Sequence, residues 1–245
     1  MSRDTLIAII IPAYKEADNI KILLKRIFAV LPGVQIVVVD DSPPRENQKL
    51  KEFIANDPKI KLISRGQKLG RGSAVVTGFK EALQDEQIEY FIEMDADLAH
   101  NPAECPKLLQ AGKTADLVVG SRYIRGSQIL TWPKYRLIQS RLINVFLNLW
   151  LGLKLSDYTN GFRLYRRRAV EFLLKQNLRQ KGFIALSEMA YKLKKAGFRV
   201  AEVPISFTDR KYGKSSATFS ELITSLIGAI IIRLSPVYAK DSGQK

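Results

Sequence analysis

Residues 5–41 read TLIAIIIPAYKEADNIKILLKRIFAVLPGVQIVVVDD, a strand, a helix and a second strand in immediate succession. Residues 5–13 are β-rich and almost free of polar side chains, as a strand buried on both faces requires. Residues 19–31 place Ile20, Leu23, Leu24, Ile27, Phe28 and Leu31 at helical spacing, and Pro32-Gly33 ends the run. Residues 34–39 (VQIVVV) form another buried strand that runs into Asp40-Asp41. The alternation continues with a helix over about 45–56, a strand over 60–64, a Gly-rich loop and a helix over 73–84. A strand over 90–94, a further helix and a strand over 116–120 follow. Strands separated by helix-length segments read as βαβ units, so an α/β fold with a mostly parallel central sheet is expected. Ligands of such sheets bind at the carboxyl ends of the strands, here residues 12–16, 40–41, 95–97 and 121–122.

The second half changes character. Residues 135–153 form a long apolar helix in which Arg136, Ser140, Asn144 and Asn148 repeat every fourth residue as one polar stripe. Residues 157–165 (DYTNGFRLY) read as a turn, 187–196 as a helix, 198–207 as a strand and 220–234 as a last apolar helix. The apolar run of that helix is shorter than the ~20 residues that span a bilayer, so it is expected to lie in a membrane interface or pack on the protein.

Composition narrows the function. With 46% hydrophobic and 26% charged residues, the chain of 245 residues is no disordered tail, and a single domain of two halves, 1–120 and 121–245, is expected. One Cys excludes a disulfide framework or a Cys-based zinc site, and one His excludes a His-rich metal centre. The first residues do not resemble a secretory signal, so a reducing, cytoplasmic location is expected. Residues 1–120 carry 16 Lys/Arg against 17 Asp/Glu, whereas residues 121–245 carry 23 against 7. Such a basic half implies an anionic partner: nucleic acid, membrane surface or phosphorylated substrate. Trp132 and Trp150 bracket the long helix, which suits an anionic membrane surface. The aromatics are not interleaved with the arginines, which speaks against nucleic acid.

Asp95-Ala96-Asp97 is the sharpest local feature. Two carboxylates flanking a small residue at a strand end suit Mg2+ or Mn2+ bridging a diphosphate. Asp40-Asp41 ends another strand on the same rim. Its carboxylates suit hydrogen bonds from a base or ribose, and a helix-capping role for Asp41 or Ser42 is equally open. The basic, Gly-rich stretch 65–73 (RGQKLGRGS), with Lys68 at its centre, suits phosphate, or a plain strand-to-helix connection. His100, ahead of Asn101-Pro102, reads as a surface-loop residue rather than a catalytic group or ligand.

Taken in order, IPAYKEADNI, VVVDDSPP, KLGRGSAVVTGF, MDADLAHNP, VVGSRYIRGS, W-P-x-x-R, DYTNGFRLY, SEM and EVPISFTDRKYGKSS resemble the polyprenol-phosphate (dolichol-phosphate) mannosyltransferases of glycosyltransferase family 2. The resemblance implies a GT-A fold and inverting transfer of mannose from GDP-mannose to a polyprenyl phosphate, with Mg2+ or Mn2+ as cofactor. It places Pro12, Tyr14 and Glu16 along the nucleotide pocket, Val39, Asp40 and Asp41 at base and ribose, Lys68 at the donor, Asp95 and Asp97 on the metal, and Ala96 against the sugar nucleotide. Arg122 matches a phosphate-contacting Arg, Arg136 one suited to the acceptor phosphate, and Arg210, with Lys214, the loop over the donor. Ala99 stands where the family often has Gln or Ser, and Ser216 where it has Lys. The implied partners are the sugar nucleotide, the lipid phosphate, the cytosolic face of a membrane and, in some relatives, an anchoring subunit. The alternatives are a UDP-glucose-type donor on the same scaffold, or an inactive membrane- or nucleic-acid-binding protein.

Overall fold

The computed structural model describes residues 6–54, 57–209 and 219–238. Seven strands form the central sheet: β1 (Leu6–Ala13), β2 (Gln35–Asp40), β3 (Ile60–Ser64), β4 (Ile88–Glu93), β5 (Leu117–Ser121), β7 (Arg163–Arg166) and β8 (Val200–Pro204), in the order β3-β2-β1-β4-β7-β5-β8. β7 runs antiparallel to both neighbours and every other pairing is parallel. Helices cover both faces: α1 (Ala17–Val30), α2 (Pro44–Ile54) and α4 (Cys105–Gly112) on one, and α3 (Arg71–Ala82), α6 (Arg167–Lys175) and α7 (Ala185–Lys195) on the other. This is the mostly parallel α/β architecture that the strand and helix periodicities require.

The first strand explains why. Ile9 and Ile11 point into one layer, Ala8 and Ile10 into the other, and all four are fully buried. Burying each isoleucine stabilises the fold by about 2 kcal/mol. Helix α3 comes close enough to β1 to need Gly78, where an added Cβ would lie 2.3 Å from Ile10 Cγ2.

Three readings are corrected. Residues 157–162 are a loop, but Arg163–Arg166 is the antiparallel strand β7 inserted between β4 and β5. Its charged ends hide an alternation in which Leu164 enters one layer and Tyr165 the other. Arg163 is buried because the carbonyls of Asn160, Leu186 and Tyr158 accept its N–H groups at 2.8, 2.6 and 2.8 Å. Helix α6, with Ala169, Val170, Phe172 and Leu173 buried, follows directly and was not anticipated. The single strand expected over 198–207 divides at Ile205: β8 stays in the sheet, whereas β9 (Ser206–Thr208) leaves to pair with β6 (Gln128–Leu130).

Helix α5 (Lys134–Leu151) is inverted relative to an ordinary surface helix. Its polar stripe faces the protein: Ser140 Oγ accepts from Tyr123 Oη at 2.6 Å, Asn144 Oδ1 from Tyr158 N at 2.7 Å, and Asn148 Oδ1 from Tyr158 Oη at 3.0 Å. Leu147 and Leu151 pack into the core beside that stripe, whereas Ile138, Leu142, Val145 and Leu149 face outward, with Leu142 64% and Leu149 79% exposed. Helix α8 (Phe219–Leu234) packs beside it and continues the apolar surface with Ile227, Ile230 and Leu234. Trp150 joins the two helices, donating its Nε1–H to Ala229 O at 2.9 Å, while Arg233 donates to Trp150 O at 2.6 Å. Among the described residues, no helix is long and apolar enough to cross a membrane.

Candidate active site

Strands β1, β2, β4 and β5 all end on one rim, because they are mutually parallel and only β7 runs against them. A cleft of about 230 Å³ opens there. Pro12 lines it from the end of β1 and Tyr14 and Glu16 just beyond, Asp41 after β2, Lys68 ahead of α3 and Arg71 at the first position of α3, and Asp95, Ala96 and Asp97 after β4; Gly182 and Phe183 complete the lining. Six residues expected at the donor and the two expected on the metal therefore share one cavity. Lys68 Nζ stands 5.1 Å from the centre of the Tyr14 ring, a cation on an aromatic face at the cleft wall.

Three expected donor residues do not line it: Val39, Asp40 and Arg122. Val39 is fully buried in the core. Asp40 is buried beneath the rim, where its carboxylate accepts from Ser42 N at 2.9 Å, Ser42 Oγ at 2.5 Å and Asn47 Nδ2 at 2.7 Å. It secures the turn after β2 and ties it to α2 through the Asn47 side chain. Burial raises its pKa above the usual carboxylate value. Asp41 instead accepts from Arg65 Nε at 2.5 Å and Nη2 at 2.8 Å, and from Leu69 N at 2.8 Å. It thereby folds the Gly-rich loop against the sheet.

Arg71 crosses the floor of the cleft. It donates to Asp95 Oδ1 from Nε at 2.8 Å and from Nη2 at 2.6 Å, and through Nη1 to the fully buried Glu93. Tyr165 Oη donates to the second Glu93 oxygen at 2.9 Å. Burial lowers the Arg71 pKa, but Asp95 and Glu93 outweigh it and hold the guanidinium above its ordinary value. Arg71, Glu93 and Phe183 were not anticipated as site residues. Arg71 sits inside the quoted Gly-rich motif; nothing in the local pattern around Phe183 signals a cleft.

His100 is buried scaffolding rather than the surface-loop residue expected. Its Nδ1 accepts from Asp95 N at 3.1 Å, so its proton lies on Nε2, which donates to Asn160 Oδ1 at 2.8 Å. The ring stacks on Phe162 at 5.2 Å. This fixes the start of the Asp95–Asp97 loop to the core.

Arg122 and Arg136 lie beside the donor cleft rather than in it. Arg122 is buried and bound bidentately to Asp157 at 2.7 and 2.8 Å, with Thr159 Oγ1 at 2.7 Å. Burial lowers its pKa, but Asp157 outweighs this and raises it; burial likewise pushes Asp157 up, but Arg122 holds it below the carboxylate range. Arg136 Nη1 bridges both oxygens of Asp209 at 2.9 Å. Both guanidiniums rest on Trp132, with Cζ 5.3 Å (Arg122) and 4.3 Å (Arg136) from its ring. The buried Nε1–H of Trp132 has no acceptor among the described residues. Arg210 and Lys214 lie outside the described residues.

The donor set at Asp95 and Asp97 fits a hard divalent cation. Among the described residues no group of three or more His, Cys, Asp or Glu side chains gathers. Two carboxylates alone match Mg2+ or Mn2+, which keep waters and take their remaining oxygens from a substrate diphosphate.

Residues 8–174 match the model of glycosyl transferase family 2. The chain belongs to that family. This glycosyltransferase is 35% identical to an undecaprenyl-phosphate mannosyltransferase of Micrococcus luteus over 84% of its length and 85% of the relative's. It is 36% identical to a polyprenol monophosphomannose synthase of Mycolicibacterium smegmatis over 87% and 82%. Against a dolichol-phosphate mannosyltransferase of Pyrococcus furiosus the identity is 37%, covering 85% of the chain and 58% of that longer protein. The glucosyl-3-phosphoglycerate synthase of Mycobacterium tuberculosis, solved with Mn2+, UDP and its product, superposes with a TM-score of 0.65 at 18% identity, over 98% of this chain and 82% of that one. The enzyme thus has the GT-A fold that the motifs implied.

Proposed function

We propose that this glycosyltransferase moves mannose from GDP-mannose to a polyprenyl monophosphate, with inversion and with a divalent metal. One observation carries the reading. Arg122, after β5, and Arg136, at the start of α5, converge on Trp132, and the outer face of α5 is apolar. A phosphate with a long hydrocarbon tail matches that juxtaposition, with its head at the arginines and its tail along α5 and α8. The names of the relatives, all of which join mannose to a polyprenyl-type phosphate, support it.

The chemistry follows from the acceptor. A phosphate monoester has its second pKa near ~6, so it is largely ionised at neutral pH and attacks without a general base. That suits a chain whose one histidine is occupied in holding a loop. In-line attack at the anomeric carbon, on the face opposite the departing diphosphate, gives the β-linked product. Tyr14, Lys68 and Asp41 would position the nucleotide, Ala96 leaves room for the sugar, and Asp95 and Asp97 would hold Mg2+ or Mn2+. When bound, such an ion offsets the charge that develops on the leaving diphosphate. Arg122 and Arg136 offset the mutual repulsion of the two anions, Arg136 exchanging Asp209 for the acceptor phosphate.

The apolar α5 and α8 surface would rest on the cytosolic leaflet, so attachment is peripheral; a separate anchoring subunit is compatible with it. The test is a panel of labelled sugar nucleotides offered with Mg2+ and a short-chain polyprenyl phosphate. Label entering lipid from GDP-mannose alone is expected. Label from UDP-glucose instead assigns a glucosyl donor, and binding to RNA without transfer overturns the enzyme reading.

A further inference from the structure

Arg71 occupies an unusual place. It is the first residue of α3, where the helix dipole disfavours a cation. Two carboxylates offset that cost: Asp95, which gives Oδ1 to two of its N–H groups, and Glu93, which has no access to solvent. The chain on the other side is shaped around the guanidinium. At Gly161 an added Cβ would stand 1.9 Å from Arg71 Nη2, so that position accepts no side chain while Arg71 keeps its place. Phe183, which also lines the cleft, has its ring centre 5.9 Å from Arg71 Cζ. A fixed positive charge is therefore already seated on one of the two carboxylates expected to take the metal.

We propose that Arg71 is a positioning residue that holds Asp95 and keeps the empty cleft from loading metal, so that the cation enters together with the donor diphosphate. The inference rests on the metal reading of Asp95 and Asp97. The reasoning is electrostatic. Before the donor arrives, a divalent cation must approach a guanidinium and compete with it for Asp95; both terms oppose binding. A nucleoside diphosphate brings enough negative charge to offset Arg71 and completes the oxygen ligand set. Metal and nucleotide then favour each other's binding, and by linkage the coupling is reciprocal. The enzyme gains order of assembly: the cleft does not fill with metal in a form that the donor would have to displace.

The experiment is a Mn2+ titration of the purified full chain followed by electron paramagnetic resonance, with and without GDP. The proteins are wild type, Arg71→Leu and Arg71→Lys, together with Arg71→Leu/Glu93→Gln, which removes the buried charge that Arg71→Leu would strand. Mn2+ affinity without GDP is expected to rise at least about fivefold in Arg71→Leu and in the double variant, and to stay near wild type in Arg71→Lys, which retains the charge. The gain in Mn2+ affinity on adding GDP is expected to be largest in wild type. Turnover of the leucine variants should fall although their metal sites are fuller, because Asp95 is no longer held. A clamp that merely maintained structure would instead weaken Mn2+ binding when removed. Unchanged or weaker binding without GDP, in both leucine variants, overturns the role of Arg71 and leaves the metal site standing. Absence of Mn2+ binding in every protein, even with GDP, overturns the metal reading and this inference with it.

Discussion

Helices α1 and α5 solve opposite problems with the same backbone geometry. On α1, Ile20, Leu23, Leu24 and Ile27 are buried against the sheet, while Lys25 and Arg26 face out. On α5, Asn144 is buried and its neighbours in the polar stripe hydrogen-bond inward, while Ile138, Leu142, Val145 and Leu149 face out. The first helix belongs to a half of balanced charge that ends in a carboxylate cleft. The second belongs to a half with 23 Lys/Arg against 7 Asp/Glu. The difference teaches that hydrophobic periodicity locates a helix without saying which side is the core. In the back half the buried polar network sets the orientation, and the apolar face is left for another medium.

The largest effect is expected in the front half. Asp97→Ala should lower transfer on the order of 10³-fold, since it removes a group placed to hold the charge on the leaving diphosphate. Circular dichroism and thermal melting should stay close to wild type. Full activity of that variant, or of wild type in excess EDTA, contradicts the role given to the carboxylate pair.

The next largest concerns stability within the back half. Asp157→Ala strands the buried Arg122 guanidinium, which costs about 3–5 kcal/mol. The folded pKa of Asp157 lies below its ordinary value, so its contribution is present above that ordinary value and is lost as pH falls through the folded one. The stability gap between wild type and variant, measured by urea unfolding, should therefore be widest near neutrality and narrow in acid. A gap independent of pH contradicts the ion pair as its origin.

The smallest effect sharpens the helix comparison itself. Leu142→Glu with Leu149→Glu should weaken binding to anionic vesicles about tenfold or more while leaving melting temperature and detergent-phase activity nearly unchanged. Equivalent charges at buried α1 positions, such as Leu23→Glu, should prevent folding. A double variant of α5 that unfolds in the same way shows that its outer face is core after all.

Much of the front half is legible in sequence because its strands are buried on both faces and its helices have one apolar side. The strand-end carboxylates then fall on one rim as a matter of topology, which is why six expected donor residues and the two expected metal ligands meet in one cleft. What escaped the sequence is charged and buried. Arg163 and Arg166 disguise β7 as a turn, because a buried arginine satisfied by three carbonyls has no local signature. Asp40 and Asp41 are adjacent and identical in type, yet only the fold decides that one faces the loop and the other the underside of the rim. Arg71 is legible as part of a basic Gly-rich loop, but its partners Glu93 and Asp95 are more than twenty residues away. Phe183 reaches the cleft only through the tertiary course of the chain ahead of α7.

In the proposed reaction a sugar nucleotide in the front cleft meets an anionic lipid at Arg122 and Arg136. The deciding assay uses purified enzyme, Mg2+, radiolabelled GDP-mannose and vesicles that carry either polyprenyl phosphate or the unphosphorylated polyprenol. Label should enter the organic phase only with the phosphorylated lipid and only with metal present, and the extracted product should carry a β-anomeric linkage. Equal transfer to the unphosphorylated lipid, or an α-linked product, contradicts the account.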